Sequence, residues 1–117
     1  MDTGTGLSPK HLPPKRRIAA CPAEATLQVI GGRWKTLILW HLFQGSQRFS
    51  VLLRAIDGVT QKMLTQQLRE MEQDGIVQRK IYAEVPPKVE YSVTALGASL
   101  RPVVAAMCKW GETRVRS

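Results

Sequence analysis

A set of hydrogen-bonding side chains recurs on one side of the segment between Thr60 and Gly75. At about 100° per residue of helix, these side chains lie opposite an apolar face formed by Leu64, Leu68 and Met71. The opposite face carries Lys62, Gln66, Arg69 and Gln73, with Thr65 and Gln61 beside them near the N-terminus. Such groups read base edges, because Gln pairs with adenine, Arg or Lys pairs with guanine, and the Thr methyl contacts thymine. The pattern predicts a DNA-reading helix; the alternative is an ordinary amphipathic helix with a solvated face.

The charges around this helix favour the DNA-reading interpretation. Its acids, Glu70, Glu72 and Asp74, all lie in its C-terminal half, so we expect the N-terminal half to enter the major groove. Basic and polar residues before and after the helix are candidates for contacts with the phosphate backbone or the minor groove. They are Arg48, Ser50 and Arg54 before it, and Arg79, Lys80 and Lys88 after it.

The overall charge points to the same class of partner. Seventeen Lys and Arg residues against nine Asp and Glu residues give a formal net charge of +8 on 117 residues. A basic surplus on a small domain favours a polyanion, because neutralised phosphates release counterions. The alternative is that the basic composition only keeps the protein in solution.

The sequence lacks the residue patterns that other classes of function require. Cys21 and Cys108 form no CxxC pair, and His11 and His41 lack metal-ligand spacing, so we expect no metal site and no cofactor. No catalytic triad, phosphate-binding loop or isolated carboxylate pair is recognisable, which argues against an enzyme. No signal peptide or membrane-spanning run is evident, so we expect a cytoplasmic protein that does not contact membranes.

The elements that position these residues follow from apolar periodicity and turn signals. Residues 1–20 are expected to be a flexible basic tail that includes Lys15-Arg16-Arg17. A first helix should run from Pro22 to Ile30 and stop at Gly31-Gly32. A second, from Trp34 to Phe43, is apolar almost all round, which predicts a central buried helix.

Two further helices predict a helix-turn-helix motif. After a short extended piece at Gln47 to Phe49, Ser50 is the expected N-cap of the third helix. The turn Asp57-Gly58-Val59 leads to Thr60, the expected N-cap of the fourth helix, which ends at Gly75. The tight turn with its glycine is typical of this motif.

The hairpin that follows is the expected wing. Ile76 to Ala83 and the alternating segment Val89 to Val93 predict two strands, joined by a stiff turn, Glu84 to Lys88, with a basic tip. Thr94 should then cap a last helix that Pro102 bends from within.

The predicted fold is therefore mainly helical with a small β-hairpin, a dimeric winged helix-turn-helix. The last helix carries an apolar stripe of Leu96, Leu100, Val103, Val104, Met107 and Trp110. Because a chain this short has little core left to cover that stripe, we expect a two-fold homodimer. The domain should span residues 21–113, followed by a C-terminal tail at 114–117.

The sequence also resembles the HxlR-type winged-helix regulators over about residues 21–111. The resemblance lies in Cys21-Pro22, Ile30 to Lys35, Arg48 to Ser50, Gln61 to Glu70, Asp74-Gly75, Val85 to Ser92 and Leu96-Gly97. It implies a homodimeric repressor or activator that binds double-stranded DNA at an inverted-repeat operator, with its first and last helices forming the dimer interface.

The resemblance also draws attention to Cys21. In some members of that family a cysteine just before the proline of the first helix senses oxidants or electrophiles. The chemistry suits Cys21, because a helix N-terminus favours the thiolate; the alternative is a buried, inert side chain. Cys108 is expected to be a packing residue.

Three functions remain to be separated. The first is a sequence-specific regulator, with thiol sensing by Cys21 or with a response to a ligand or protein partner instead. The second is a redox or ligand sensor that acts through protein–protein contacts. The third is a chromatin-like binder without sequence preference.

Overall fold

The structure, a computed structural model, describes residues 21–115. The expected basic tail at 1–20 and residues 116–117 lie outside that range. The chain divides after Gly32 into two compact units. In the first unit, helix α1 spans Pro22–Ile30, with Cys21 as its N-cap residue and the proline in its first turn, as predicted.

The second unit contains the remaining helices and strands. In chain order they are α2 (Lys35–Leu42), β1 (Gln47–Arg48), α3 (Phe49–Ala55), α4 (Gln61–Gln73), β2 (Val77–Tyr82), β3 (Lys88–Val93), α5 (Ala95–Ala98) and α6 (Arg101–Val115). Helices α3 and α4 form the helix-turn-helix, and β2 and β3 form the wing. The predicted mainly helical winged helix-turn-helix fold is confirmed, and its dimeric state stays a prediction.

The core of this unit lies where α2, α4 and β2 meet. Leu64, Leu68 and Met71 of α4 are buried, as are Ile38 and Leu39 of α2, and α4 contacts both α2 and β2. A side chain of this size contributes about 1.5–3 kcal/mol when it is fully buried. The apolar face of α4 therefore holds that helix against the rest of the unit.

The sheet has three antiparallel strands in the order β1-β3-β2. The short extended piece that the sequence predicted pairs with β3, where Arg48 lies opposite Glu90. On the other side of β3, Val77 of β2 pairs with Val93 and Lys80 pairs with Glu90. Since paired residues share a face and neighbours alternate, the sheet has two different faces.

We call the face that carries the buried Val77 the inner face, and the opposite one the outer face. The inner face carries Val77, Arg79, Ile81, Val89, Tyr91 and Val93. The outer face carries Arg48, Gln78, Lys80, Tyr82, Lys88, Glu90 and Ser92.

Two expectations for the first half of this unit are wrong. Helix α2 is not buried on all sides, because Leu37 and Trp40 are 42% and 48% exposed. Ser50 is not an N-cap: α3 begins at Phe49, and Arg48 is its N-cap residue. Arg48 is extended because it pairs with β3, so the helix begins directly where that strand ends.

The last predicted helix is in fact two helices. Thr94 caps α5, as expected, by accepting a hydrogen bond from the Gly97 amide, but α5 ends at Ala98 and α6 begins at Arg101. Pro102 therefore lies in the first turn of α6 and does not bend it from within. A proline is tolerated there because the amide it lacks would have no partner inside the helix.

Gly97, in α5, packs against the backbone of Ile76, which lies just after the end of α4. A Cβ at this position would lie 2.0 Å from the Ile76 carbonyl oxygen, a backbone atom. The Thr94 hydroxyl also donates to the Gly75 carbonyl at 2.6 Å. The junction between α4 and β2 is thus packed tightly against the junction between β3 and α5.

We expect Gly97→Ala to lower the free energy of unfolding by about 1–3 kcal/mol, because the added methyl must displace backbone. Gly111→Ala is the matched control, since it lies within α6 and its Cβ would meet nothing within 4 Å. There alanine should raise stability by about 0.5–1 kcal/mol. Urea unfolding checks both, and similar effects at the two glycines would contradict the packing.

Candidate nucleic-acid interface

Helix α4 has its N-terminus and its rotation fixed by local contacts. The Thr60 side chain accepts a hydrogen bond from the Met63 amide at 3.1 Å, which confirms the predicted cap. The buried Leu64, Leu68 and Met71 turn one face to the core. The opposite face is therefore held in the solvent.

The structure gathers the predicted base-reading residues on that opposite face. Gln61, Lys62, Gln66 and Arg69 are exposed, and Thr65 is half-buried. The Thr65 hydroxyl donates to the Gln61 carbonyl at 2.8 Å. Since that hydroxyl is already engaged with the backbone, Thr65 would contact a base chiefly through its methyl group.

The acids of α4 are paired with cations from other elements. Glu70 lies 2.6 Å from the Lys35 ammonium group, and a Glu72 carboxylate oxygen lies 3.6 Å from Arg79 Nε. The first turn of α4 carries no acid. Because a helix N-terminus carries partial positive charge, this end of α4 suits a phosphate-rich ligand, and the acids further along are neutralised by their partners.

Arg79 belongs to a cluster on the inner face of the sheet. Besides its ion pair with Glu72, it lies opposite Tyr91 in the register. Burial raises the pKa of Tyr91; Glu72 adds to that rise, while Arg79 and Arg69 oppose it. This predicted backbone-contact residue is therefore engaged with α4 and β3.

The other predicted backbone-contact residues lie on two elements. Arg48, Ser50 and Arg54 are exposed at or within α3. Lys80 and Lys88 lie on the outer face of the sheet, with Lys80 exposed and Lys88 half-buried. The sequence reasoning placed Lys88 at the tip of the wing, but it is the first residue of β3.

Sequence reasoning missed two residues on the outer face of the wing. The Tyr82 ring lies beneath the ammonium groups of both lysines, 5.0 Å from Lys80 Nζ and 4.5 Å from Lys88 Nζ. A Glu90 carboxylate oxygen lies 3.8 Å from Lys88 Nζ. The alternation of the strands could have placed these four side chains on one face, but their contacts depend on the strand register.

Both cysteines are exposed and neither forms a disulfide. Cys21 is the N-cap residue of α1 and makes no side-chain capping bond. Cys108, expected to pack, lines a groove of about 680 Å³ between α2 and α6. Within residues 21–115, no group of three or more His, Cys, Asp or Glu side chains is arranged to hold a metal ion, and no helix is long and apolar enough to cross a membrane.

The family model for the HxlR-like helix-turn-helix matches residues 29–117. The chain belongs to this family. The match covers α2 to α6, and therefore both the DNA-reading candidate α4 and the wing. The resemblance seen in the sequence is confirmed.

Individual proteins are similar to this one over most of the chain. The HTH-type transcriptional regulator YybR of Bacillus subtilis (strain 168) is 53% identical over 93 residues, which is 80% of this chain and 74% of YybR. The redox regulator HypR in its oxidised form is 53% identical with a TM-score of 0.76, over 80% of this chain and 96% of that one. Reduced YodB from B. subtilis is 37% identical with a TM-score of 0.71, over 80% of this chain and 93% of YodB.

These comparisons identify the protein as an HxlR-type helix-turn-helix transcriptional regulator. Transcriptional regulators of this family bind DNA. In the structure, α4 and the wing present exposed cationic and amide side chains.

The ion pair between Lys35 and Glu70 gives a stability prediction. The Lys35 side chain is 11% exposed and the Glu70 side chain 42%. We expect Glu70→Gln to lower the free energy of unfolding by about 1–3 kcal/mol, because it leaves a buried ammonium group without its counter-ion. Lys35→Met should have a smaller effect, because water still reaches Glu70.

Urea unfolding of both single variants and the double variant checks this asymmetry. The double variant should be more stable than Glu70→Gln alone, since it no longer buries an unpaired charge. A larger loss of stability for Lys35→Met than for Glu70→Gln would contradict this account.

Proposed function

We propose that this regulator reads a specific double-stranded DNA sequence with the exposed face of α4, and that it acts as a repressor or activator rather than as an enzyme. The single observation that carries the proposal is the one-sided burial of α4. It leaves Gln61, Lys62, Thr65, Gln66 and Arg69 on the free face of a helix whose first turn has no acid. Such side chains make the hydrogen bonds that distinguish bases in the major groove.

The proposed backbone contacts surround this helix. Arg48, Ser50 and Arg54 lie at or within α3, and Lys80 and Lys88 lie on the wing. Arg79 has a different role in the proposal: its ion pair with Glu72 ties the wing to α4, so that it orients the wing and adds to the local positive potential.

We further propose that the protein acts as a homodimer. Val103, Met107 and Trp110 follow helical spacing on α6, and Trp110 is 67% exposed. A second copy of α6 would cover this stripe by two-fold symmetry. A two-fold dimer calls for an inverted-repeat operator with half-sites about 10 bp apart or a multiple of that spacing.

Selection of bound sequences from a random pool of duplex DNA tests the proposed function. Enrichment of an inverted repeat is the expected result. Retention of the pool without enrichment would instead favour a chromatin-like binder. A failure to retain DNA would favour a sensor that acts through protein–protein contacts.

Substitutions on α4 and on the wing should have different effects in that selection. Arg69→Ala or Gln66→Ala should relax base preference, because each bidentate pair of hydrogen bonds to a base contributes about 1–3 kcal/mol of discrimination. Lys88→Gln should weaken binding to all sequences alike and reduce the salt slope by about one unit, because phosphates carry no sequence information. If both classes behave the same, the assignment of α4 to the groove is wrong.

The homodimer is tested by sedimentation of the wild type and two variants. The wild type should sediment with twice the mass of one chain, and Trp110→Glu should sediment as a monomer, because a carboxylate would be buried in the interface. Val115→Glu is the control: Val115 is 85% exposed on the same helix, but its position lies off the stripe. A wild-type monomer that still binds DNA tightly would exclude the proposed dimer.

A second candidate function, thiol sensing, rests on Cys21. Its side chain is exposed at the N-terminus of α1. The similar protein HypR is described as a redox regulator. We propose that modification of Cys21 changes the DNA affinity of the dimer. The alternative is a regulator that responds to a ligand or protein partner without thiol sensing.

The test is operator binding before and after treatment with diamide. The wild type should change its affinity on oxidation, whereas Cys21→Ser should keep its affinity unchanged. Cys108→Ser, which removes the other exposed thiol, should respond as the wild type does. Equal responses of the wild type and Cys21→Ser would remove Cys21 as the sensor.

A further inference from the structure

The outer face of the sheet carries three cationic residues and one carboxylate. Glu90 lies on the central strand β3, directly opposite Arg48 of β1 on one side and Lys80 of β2 on the other. Lys88 is on the same face of β3, with its ammonium group 3.8 Å from the Glu90 carboxylate. Among the strand residues that the structure describes, this face therefore carries more positive than negative charge.

The two lysines of this face share one aromatic ring. Tyr82 pairs with Lys88 across the strands and precedes the turn of the wing. Both ammonium groups lie within 5.0 Å of the ring centroid. This distance is within the range of cation–π attraction. Two like charges that would otherwise separate are thus held close to one surface.

We propose that Tyr82 is a positioning residue that holds Lys80 and Lys88 as a paired phosphate clamp, and that Glu90 is the counter-ion that a DNA phosphate replaces. This inference rests on the proposed DNA binding and deepens it. A flexible lysine loses side-chain freedom when it binds a phosphate. Since the ring already restricts both side chains, less freedom remains to be lost on binding.

The same arrangement explains why the carboxylate and the ring should have opposite effects. An incoming phosphate is attracted by the lysines but repelled by Glu90, because they lie on the same face. Removal of the ring should therefore weaken DNA binding, whereas neutralisation of Glu90 should strengthen it. A role that is only structural predicts no such opposition.

The experiment measures dissociation constants for a duplex of random sequence over a range of salt concentrations, because phosphate contacts do not depend on sequence. Tyr82→Leu should weaken binding about fivefold to tenfold, because the two freed lysines then lose more side-chain freedom when they bind a phosphate, and should reduce the salt slope by about one unit. Tyr82→Phe, which keeps the ring, should rescue both quantities.

Glu90→Gln should tighten binding to the same duplex several-fold and steepen its salt dependence. Ile81→Ala is the control for removal of a large side chain from β2: Ile81 is on the inner face and 63% exposed, and this variant should bind as the wild type does. Thermal unfolding monitors the fold of each variant. If Tyr82→Leu does not fold, Glu90→Gln still tests the clamp by the direction of its effect.

Two failures can be told apart. A wild-type protein that does not retain the duplex overturns the proposed function and the clamp with it. A wild type that binds, with Tyr82→Leu at the wild-type salt slope or Glu90→Gln weaker than the wild type, overturns the clamp alone.

Discussion

Burial of Leu64, Leu68 and Met71 fixes the rotation of α4 about its own axis, and the proposed DNA-binding surface depends on that rotation. Because these buried side chains occupy one face of a helix that contacts α2 and β2, the polar residues between them must point away. A turn of the helix by one residue would bring a glutamine or an arginine into the core, where an unpaired polar group costs several kcal/mol. The core thus determines which side chains are free to meet a ligand.

Electrostatic pairing adds a second constraint on the same helix. Lys35 forms an ion pair with Glu70, and Arg79 forms one with Glu72. These ion pairs connect α4 to α2 and to the wing. These pairs help to orient α4 and leave its acid-free first turn as the end best suited to phosphate. In a protein with a net charge of +8, the positions of the few acidic residues are as informative about DNA binding as the number of basic residues.

Sequence reasoning predicted the elements whose periodicity or capping is strong. It found α1, α4 with its Thr60 cap, and the hairpin, because these signals are local. It was wrong about Ser50, since pairing of Arg48 with β3 determines where α3 begins. It was also wrong about Pro102. The sequence does not show that the helix is interrupted between Ala98 and Arg101, and without that break a proline in the first turn of a helix cannot be told from one in its interior. The Tyr82–Lys88 contact, which needs the strand register, could not be predicted from spacing.

The most direct test is the structure of the protein bound to a duplex obtained by selection. We expect the N-terminal half of α4 in the major groove of each half-site, with Gln66 and Arg69 within hydrogen-bond distance of base edges and the wing lysines on phosphates. A complex in which α4 lies along the phosphate backbone, with those two side chains away from the bases, would contradict the central claim.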